Sequence, residues 1–125
     1  MRWDASADAG FTTGEAWLPV GDDVERCNVE VQRKDARSLL TLYRRLLAFH
    51  RNAPALRAGS YEPFESSGEI LAHCRRLDGR SILVALNLAD VGDEVGLPGP
   101  GQILVSTHLD RAEERVEGSV RLHPH

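Results

Sequence analysis

Residues 35–52, DARSLLTLYRRLLAFHRN, decide how the rest of the chain is interpreted. Apolar side chains recur there at intervals of three and four residues, which predicts one long amphipathic helix. Asp35 is expected to cap its N-terminus, and Pro54 is expected to end it. Because one helix cannot bury an apolar face alone, the face needs a partner surface. The residues of this face are Leu39, Leu42, Tyr43, Leu46, Leu47, Phe49 and His50.

The 34 residues before this helix show neither a helical nor a strand period. Their aromatic and branched side chains are scattered among glycines and prolines, so the segment is not of low complexity. Long segments without secondary structure are uncommon inside a compact domain. We therefore expect an ordered loop that lies on an apolar surface belonging to a larger body.

The residues after the helix show the period of two that is typical of strands. Residues 60–65 predict a short edge strand because they contain Pro63, and residues 69–76 alternate well. The pair Asp78-Gly79 predicts a type I′ turn into residues 81–88, which return antiparallel. That returning segment, SILVALNL, is apolar on both faces, so it is expected to be a central strand.

Weaker strands are predicted around residues 95–97, 102–107 and 119–122, with a polar turn at residues 110–114. Short strands separated by turn residues indicate a small antiparallel β-sandwich. The expected fold class is therefore α+β: a loop and one long helix, followed by a sandwich that lacks its last strand.

Composition narrows the possible functions. The chain has 125 residues and a net charge of -4, with no concentrated basic surface for nucleic acid or anionic lipid. No segment has the length of a membrane span, and no signal-peptide core follows Met1. Cys27 and Cys74 are far apart and fit no zinc spacing, which favours free thiols in a reducing compartment. We therefore expect a cytoplasmic protein.

The sequence offers few candidates for chemistry, since it has no nucleophile elbow, metalloprotease motif, phosphate loop or dinucleotide fingerprint. Two acidic clusters lie in turn-like surroundings and are interpreted as solvated carboxylates. His123 and His125 are interpreted as a frayed terminus rather than as metal ligands. No catalytic, cofactor-binding or metal-binding residue is therefore predicted. The acidic clusters are Asp22, Asp23 and Glu25, and Glu113 and Glu114.

Four aromatic side chains could stack on sugar rings, but we expect them to fill gaps between loop, helix and sheet. The predicted sandwich beyond Tyr61 has only Phe64 as an aromatic residue. A stand-alone starch-binding sandwich would need exposed aromatic residues there. The four residues are Trp3, Trp17, Tyr43 and Tyr61.

The order of the segments resembles glycoside hydrolase family thirteen, in particular its α-glucosidases and oligo-1,6-glucosidases. Residues 1–20, MRWDASADAGFTTGEAWLPV, resemble a stretch that reads R-T-P-M-Q-W-D, then A-G-F-T, then W-L-P-V in that family. Arg2 stands where the family usually has glutamine. Further similar segments follow in the family's order: NVE at residues 28–30, LYRRLL at 42–47, PAL at 54–56, GSY at 59–61 and the strand containing Asn87.

This resemblance implies two parts of a larger enzyme. Residues 1–56 would be the end of a (β/α)₈ catalytic barrel, and residues 57–125 an incomplete C-terminal β-sandwich domain. The family uses an aspartate nucleophile, a glutamate acid/base and a second aspartate, all of which would lie upstream of Met1. No catalytic residue is therefore carried over, and the chain alone is expected to be inactive. Trp3, Asp4, Phe11 and Trp17 would belong to a supporting loop beside the active site.

The resemblance implies a non-catalytic portion of an enzyme that hydrolyses short α-glucosides without a cofactor. Trehalose synthases and sucrose isomerases have related loop sequences, so they remain alternatives for the parent enzyme. An independent binding or interaction module is the alternative of a different class. The expected partners are the parent barrel and, through the helix face or an unpaired strand edge, a second copy of the chain. Neither nucleic acid nor a membrane is expected as a partner.

Overall fold

The computed structural model describes residues 1–124. The chain forms two compact units, of which the first contains residues 1–46 and 107–109. The second unit contains residues 47–106 and the chain from residue 110 onward. The helices are α1 (Val29–Lys34), α2 (Leu39–Asn52) and α3 (Pro54–Ala58). The strands are β1 (Ser60–Pro63), β2 (Ile70–Leu77), β3 (Arg80–Asn87), β4 (Asp93–Gly96), β5 (Gly101–Gln102), β6 (Arg115–Val116) and β7 (Ser119–Leu122).

The predicted loop contains one helix that the sequence pattern did not reveal. Helix α1 has no buried residue, so it shows no apolar period. Its N-cap is Asn28, whose side chain accepts a hydrogen bond from the Val31 amide at 2.9 Å and donates to the Val24 carbonyl at 2.7 Å. Asn28 is only 2% exposed, and both bonds satisfy its amide inside the unit.

Helix α2 begins three residues later than predicted, and Ser38 rather than Asp35 caps it. The Ser38 hydroxyl accepts from the Thr41 amide at 3.2 Å and donates to the Gln32 carbonyl at 2.7 Å. Asp35 instead closes a tight turn by accepting from the Arg37 amide at 2.8 Å. The prediction failed because both residues are good caps and the apolar period does not distinguish between them.

The apolar face of α2 is largely uncovered. Leu42 is buried and Phe49 is half-buried, but the other large apolar side chains of this face are more than a third exposed. Such a row at helical spacing is normally covered in a stable protein. These exposed residues, which we call the α2 face, are Leu39, Tyr43, Leu46 and Leu47.

The main sheet of the second unit is antiparallel, in the order β1-β2-β3. Asp78 and Gly79 join β2 to β3 with φ values of 49° and 75°, as the predicted type I′ turn requires. Ile70, Ala72 and Cys74 of β2 all point to one face and are buried there, as their alternation predicted. β1 lies at the edge of this sheet, as predicted, but it ends at Pro63 rather than at residue 65.

The strand predicted to be central lies instead at the edge. β3 pairs only with β2 among the described residues, and β2 occupies the centre of the sheet. Residues 82–85 of β3 are half-buried rather than fully buried. The prediction failed because apolar side chains on both faces indicate only that other elements cover the two faces of the strand. They do not determine which strands pair with it within the plane of the sheet.

Two smaller sheets complete the second unit. β4 pairs with β7, and β5 pairs with β6, both antiparallel. Val95 of β4, which is 1% exposed, packs with Ile70 and Ala72 in the core, together with Val120 and Leu122 of β7. The predicted strand at residues 102–107 shortens to β5, and β6 was not predicted. Both are two-residue strands, too short to give a recognisable alternation.

Helix α3 is held by a side chain from the sheet. The Arg75 guanidinium of β2 donates to the Ala55 carbonyl at 3.3 Å and to the Leu56 carbonyl at 3.1 Å. These donors satisfy carbonyls near the C-terminal end of a helix that has no further turn. Gly59 closes the helix by donating its amide to the Ala55 carbonyl at 3.0 Å.

Candidate functional site

The first candidate region is the loop of residues 1–20, which a buried turn organises. The Ala9 carbonyl accepts hydrogen bonds from the amides of Trp3 at 2.7 Å and Asp4 at 3.4 Å. Ala9 is buried and has a φ of 53°, a left-handed conformation that costs a non-glycine residue about 1 kcal/mol. The loop is therefore held in a defined conformation, with Ser6, Gly10 and Phe11 lining a shallow open depression on it.

Asp4 supports this turn rather than facing a reacting group. Its carboxylate accepts from the Ser6 hydroxyl at 2.6 Å and from the Ser6 amide at 2.9 Å. The hydroxyl bond and then the amide bond stabilise the charged form and lower the pKa of Asp4. A general acid at neutral pH needs a raised pKa, so Asp4 does not fit that role.

The aromatic side chains of the loop point outward. Trp17 is 93% exposed, Phe11 is 67% exposed and Trp3 is 46% exposed. Tyr43 of α2 and Tyr61 of β1 are also exposed, and Tyr61 stacks on His73 with ring centroids 4.8 Å apart. The four aromatic residues that were expected to fill gaps are therefore surface residues in this chain.

The acidic cluster at residues 22–25 contributes to the fold through Asp23. Its carboxylate forms an ion pair with Arg2 and accepts a hydrogen bond from the Cys27 side chain. The Cys27 bond is the largest cause of the lowered pKa of Asp23, and Arg2 adds to it. The sequence shows Asp23 and Cys27 four residues apart, but the distant partner Arg2 could not be read from it.

In the second acidic cluster, Glu114 likewise pairs with an arginine. Both oxygens of the Glu114 carboxylate accept from the Arg111 guanidinium at 2.7 Å, and this pair lowers the pKa of Glu114. Arg111 also donates to the Arg121 carbonyl at 2.7 Å. Because Arg111 and Glu114 are three residues apart, their ion pair could have been predicted from the sequence. In each predicted acidic cluster, one carboxylate therefore forms a structural ion pair: Asp23 in the first cluster and Glu114 in the second.

His123, near the end of the described residues, lies beside an acidic side chain. The Nε2 atom of His123 lies 3.5 Å from an Asp110 carboxylate oxygen. His125 lies outside the described residues. Within residues 1–124, no group of three or more histidine, cysteine, aspartate or glutamate residues is placed to hold a metal ion.

The two cysteines are separate free thiols, with Cys27 exposed and Cys74 buried. None of the helices in the described part of the chain has the length and hydrophobicity needed to cross a lipid bilayer.

Comparisons with known proteins place this arrangement in a family. A family model described as the catalytic domain of alpha amylase matches residues 1–59. The chain is 29% identical to an oligo-1,6-glucosidase of Parageobacillus thermoglucosidasius, over 99% of this chain and 23% of that protein. It is also 33% identical to an amino acid transporter heavy chain of Homo sapiens, over 95% of this chain and 19% of that protein.

Solved structures show the same relationship. The trehalulose synthase MutB from Pseudomonas mesoacidophila MX-45 superposes with a TM-score of 0.85 and 32% identity, over 98% of this chain. The chain corresponds to 23% of that structure, about the share that it spans of its curated relatives.

These comparisons define the chain as part of an α-amylase-type protein. It belongs to glycoside hydrolase family thirteen as a fragment, with relatives among the oligo-1,6-glucosidases and α-glucosidases.

Proposed function

We propose that this chain is the C-terminal, non-catalytic portion of an α-glucosidase-like glycosidase and that its role is to complete and stabilise a catalytic barrel. The parent would hydrolyse α-glucosidic bonds of short oligosaccharides by a retaining mechanism that needs no cofactor. The second unit would belong to a C-terminal β-sandwich domain, in a protein of a reducing compartment.

The observation that carries the proposal is the α2 face. Leu39, Tyr43, Leu46 and Leu47 form an exposed apolar row on the longest helix of the chain. Burying apolar area contributes about 25 cal/mol per Å², so an uncovered row of this size favours association with another surface. Relatives more than four times longer contain further chain that could provide such a surface.

The exposed loop supports the same interpretation. Hydrogen bonds to the Ala9 carbonyl hold the turn in the loop. The side chains of Trp17 and Phe11 in this loop are exposed to solvent. An ordered loop with uncovered aromatic side chains is typical of a segment that packs on a body outside the chain.

The pKa values of the carboxyl groups described above support the proposal that the chain alone is not catalytic. Asp4, Asp23 and Glu114 all have lowered pKa values because they accept hydrogen bonds in their charged forms. A retaining glycosidase needs one carboxylic acid with a raised pKa, about 5 Å from a second carboxylate. We therefore expect no turnover of an aryl α-glucoside by the chain alone.

The experiment that tests this function mixes the 125-residue chain with an oligo-1,6-glucosidase from which the matching 23% has been removed. We expect the chain to bind the truncated enzyme and to restore α-glucosidase activity that neither part has alone. The variant Leu47→Lys should reduce binding at least tenfold, whereas Arg45→Glu, another exposed site on α2, should change it less than threefold. Turnover by the chain alone, or binding unaffected by Leu47→Lys, would contradict the proposal.

The same test separates the alternatives. Restored sucrose isomerisation in a truncated trehalulose synthase, without restored α-glucosidase activity, would favour a sucrose-isomerase parent, in line with the similarity to MutB. Glucan binding by the chain alone, lost on Trp17→Ala, would favour a stand-alone binding module.

A further inference from the structure

The tip of the hairpin between β2 and β3 carries a dipeptide with its own chemical reactivity. Asp78 is the only aspartate of the chain that is followed by glycine, and no asparagine is followed by glycine. In such a pair, the backbone nitrogen of the second residue can attack the side-chain carboxyl carbon of the first and close a succinimide ring. Glycine obstructs this attack least, because it has no Cβ atom beside the nitrogen.

The structure leaves both residues of this pair accessible. Asp78 and Gly79 are exposed, and a Cβ atom at Gly79 would meet no atom within 4 Å. Within residues 1–124, neither the Asp78 carboxylate nor the Gly79 amide has a hydrogen-bond partner. Asp78 has a φ of 49°, in the left-handed region where a residue with a Cβ atom is strained. Only the turn itself therefore restrains the pair, and exposed turn tips are among the first parts of a fold to open locally.

The other aspartates of the chain are placed differently. The carboxylates of Asp4, Asp23 and Asp35 accept hydrogen bonds that hold them in position. Asp90 is exposed like Asp78, but the branched side chain of Val91 follows it and crowds the backbone nitrogen that would have to attack. Asp90 is therefore an internal control for Asp78 in the same molecule.

We propose that Asp78-Gly79 is a modification site at which the peptide bond migrates from the main-chain to the side-chain carboxyl carbon of Asp78, which forms isoaspartate. The substrate is the chain itself, and water is the only other reactant.

The atoms balance in two steps. First, the Gly79 nitrogen bonds to the side-chain carboxyl carbon of Asp78, and the hydroxyl of that carboxylic acid leaves with the amide proton as water. Second, water adds to the main-chain carbonyl carbon of the succinimide. The bond from this carbon to the Gly79 nitrogen then breaks, and a free carboxyl group remains on the Asp78 Cα atom. No atom is oxidised or reduced, so no further reactant is needed.

The rearrangement changes the hairpin, because isoaspartate carries the main chain through the Asp78 Cβ atom and adds one atom to a tight turn. Leu77 and Arg80 form the strand pair next to this turn. The Leu88 amide donates to the Glu69 carbonyl, and hydrogen-bonded pairs alternate along the ladder, so the pair of Leu77 and Arg80 is also hydrogen-bonded. The extra atom should break this pair first.

The test ages the 125-residue chain for several weeks at neutral pH in water enriched in heavy oxygen. Hydrolysis of a succinimide places one solvent oxygen in the residue, and mass spectrometry of the peptides locates it. We expect at least tenfold more label at Asp78 than at Asp90. Labelled chains that contain isoaspartate should also resist a protease that cleaves before aspartate.

Three variants test the chemistry of the pair. Asp78→Asn keeps a dipeptide that suits a type I′ turn and should convert at least tenfold faster, because a neutral amide is attacked more readily than a carboxylate. Gly79→Ala places a methyl group beside the attacking nitrogen and should reduce the label at Asp78 at least tenfold. Gly99→Ala is the matched control, since Gly99 is also exposed with no atom near a Cβ position, and should change the label less than threefold. Circular dichroism should show that all three variants keep the sheet.

Amide hydrogen exchange of the purified isoaspartate form tests the effect on the fold. The amides of Leu77 and Arg80 should exchange at least tenfold faster than in the unmodified chain, whereas the amide of Val95 in β4 should change less than threefold.

Three results would overturn the proposal. One is equal label at Asp78 and Asp90 under conditions in which Asp78→Asn converts completely. Another is equal label at Asp78 in the Gly79→Ala variant and the unchanged chain, because the reaction would then not depend on glycine. The third is unchanged exchange at Arg80 in the isoaspartate form, which would exclude an effect on the hairpin.

Discussion

The Asn87 side-chain amide at the end of β3 donates a hydrogen bond of 2.9 Å to the His123 carbonyl, just beyond β7. The same nitrogen donates to the Val91 carbonyl at 2.7 Å, and the Asn87 side-chain oxygen accepts from the Ala89 amide at 3.1 Å. One side chain thus joins the end of the main sheet to the turn that follows it and to the residue that follows β7.

Asn87→Asp is expected to destabilise the second unit by about 1–2 kcal/mol, because aspartate keeps the acceptor for Ala89 but loses both donated bonds. Urea denaturation followed by circular dichroism measures this change. Asn52→Asp, at the exposed C-terminal end of α2, is the matched control and should cost less. Equal midpoints for the two variants would show that the Asn87 bonds contribute little.

Ser38→Ala is expected to cost about 1 kcal/mol, because it removes the acceptor for the Thr41 amide at the start of α2. Asp35→Ala should cost less, since Asp35 closes only a turn with the Arg37 amide. Thermal unfolding of both variants compares them directly. If Asp35→Ala were the more damaging change, the helix would begin where the sequence pattern alone places it.

Stability should fall at acidic pH partly through Asp23. Its pKa is below the ordinary value of 3.8, chiefly because of the Cys27 hydrogen bond, so the folded chain binds the proton less readily than the unfolded chain. The stabilisation is therefore present above the ordinary pKa and is lost as the pH falls through the lower folded value. Cys27→Ala should flatten this acid dependence, whereas Cys27→Ser retains a donor and should preserve more of it. Unfolding midpoints between about pH 5 and pH 2 provide the measurement.

Gly59→Ala is expected to destabilise the second unit by about 1–3 kcal/mol or more, because the added methyl group would overlap backbone atoms. A Cβ atom there would lie 2.7 Å from the Arg76 carbonyl oxygen and even closer to the Ala55 carbonyl oxygen. Gly99→Ala is the control, since a Cβ atom at Gly99 meets no atom within 4 Å. Chemical denaturation of the two alanine variants should separate them clearly.

The sequence predicted the features that depend on local chemistry and a regular period. The Asp78-Gly79 hairpin, the buried face of β2 with Ile70 and Ala72, and the uncovered helix face could all be predicted because each follows from a few neighbouring residues. The family could be recognised from the order of short segments along the whole chain.

The features that depend on distant partners could not be predicted. The edge position of β3 depends on which strands pair in the plane of the sheet, and its own side chains do not encode that. The ion pair of Arg2 with Asp23 joins residues with no sequence signal between them. Capping by Ser38 depends on its bond to Gln32, six residues earlier and in another helix.

The bonds from Arg75 to the carbonyls of α3 impose an order on folding. A helix of five residues is far below the length at which an isolated helix is stable in water. The β2-β3 hairpin has a short connection and low sequence separation, so it can form early. Helix α3 should become ordered only after the hairpin has positioned the Arg75 guanidinium. Formation of the hydrogen bonds from Arg75 to the α3 carbonyls therefore follows assembly of the sheet.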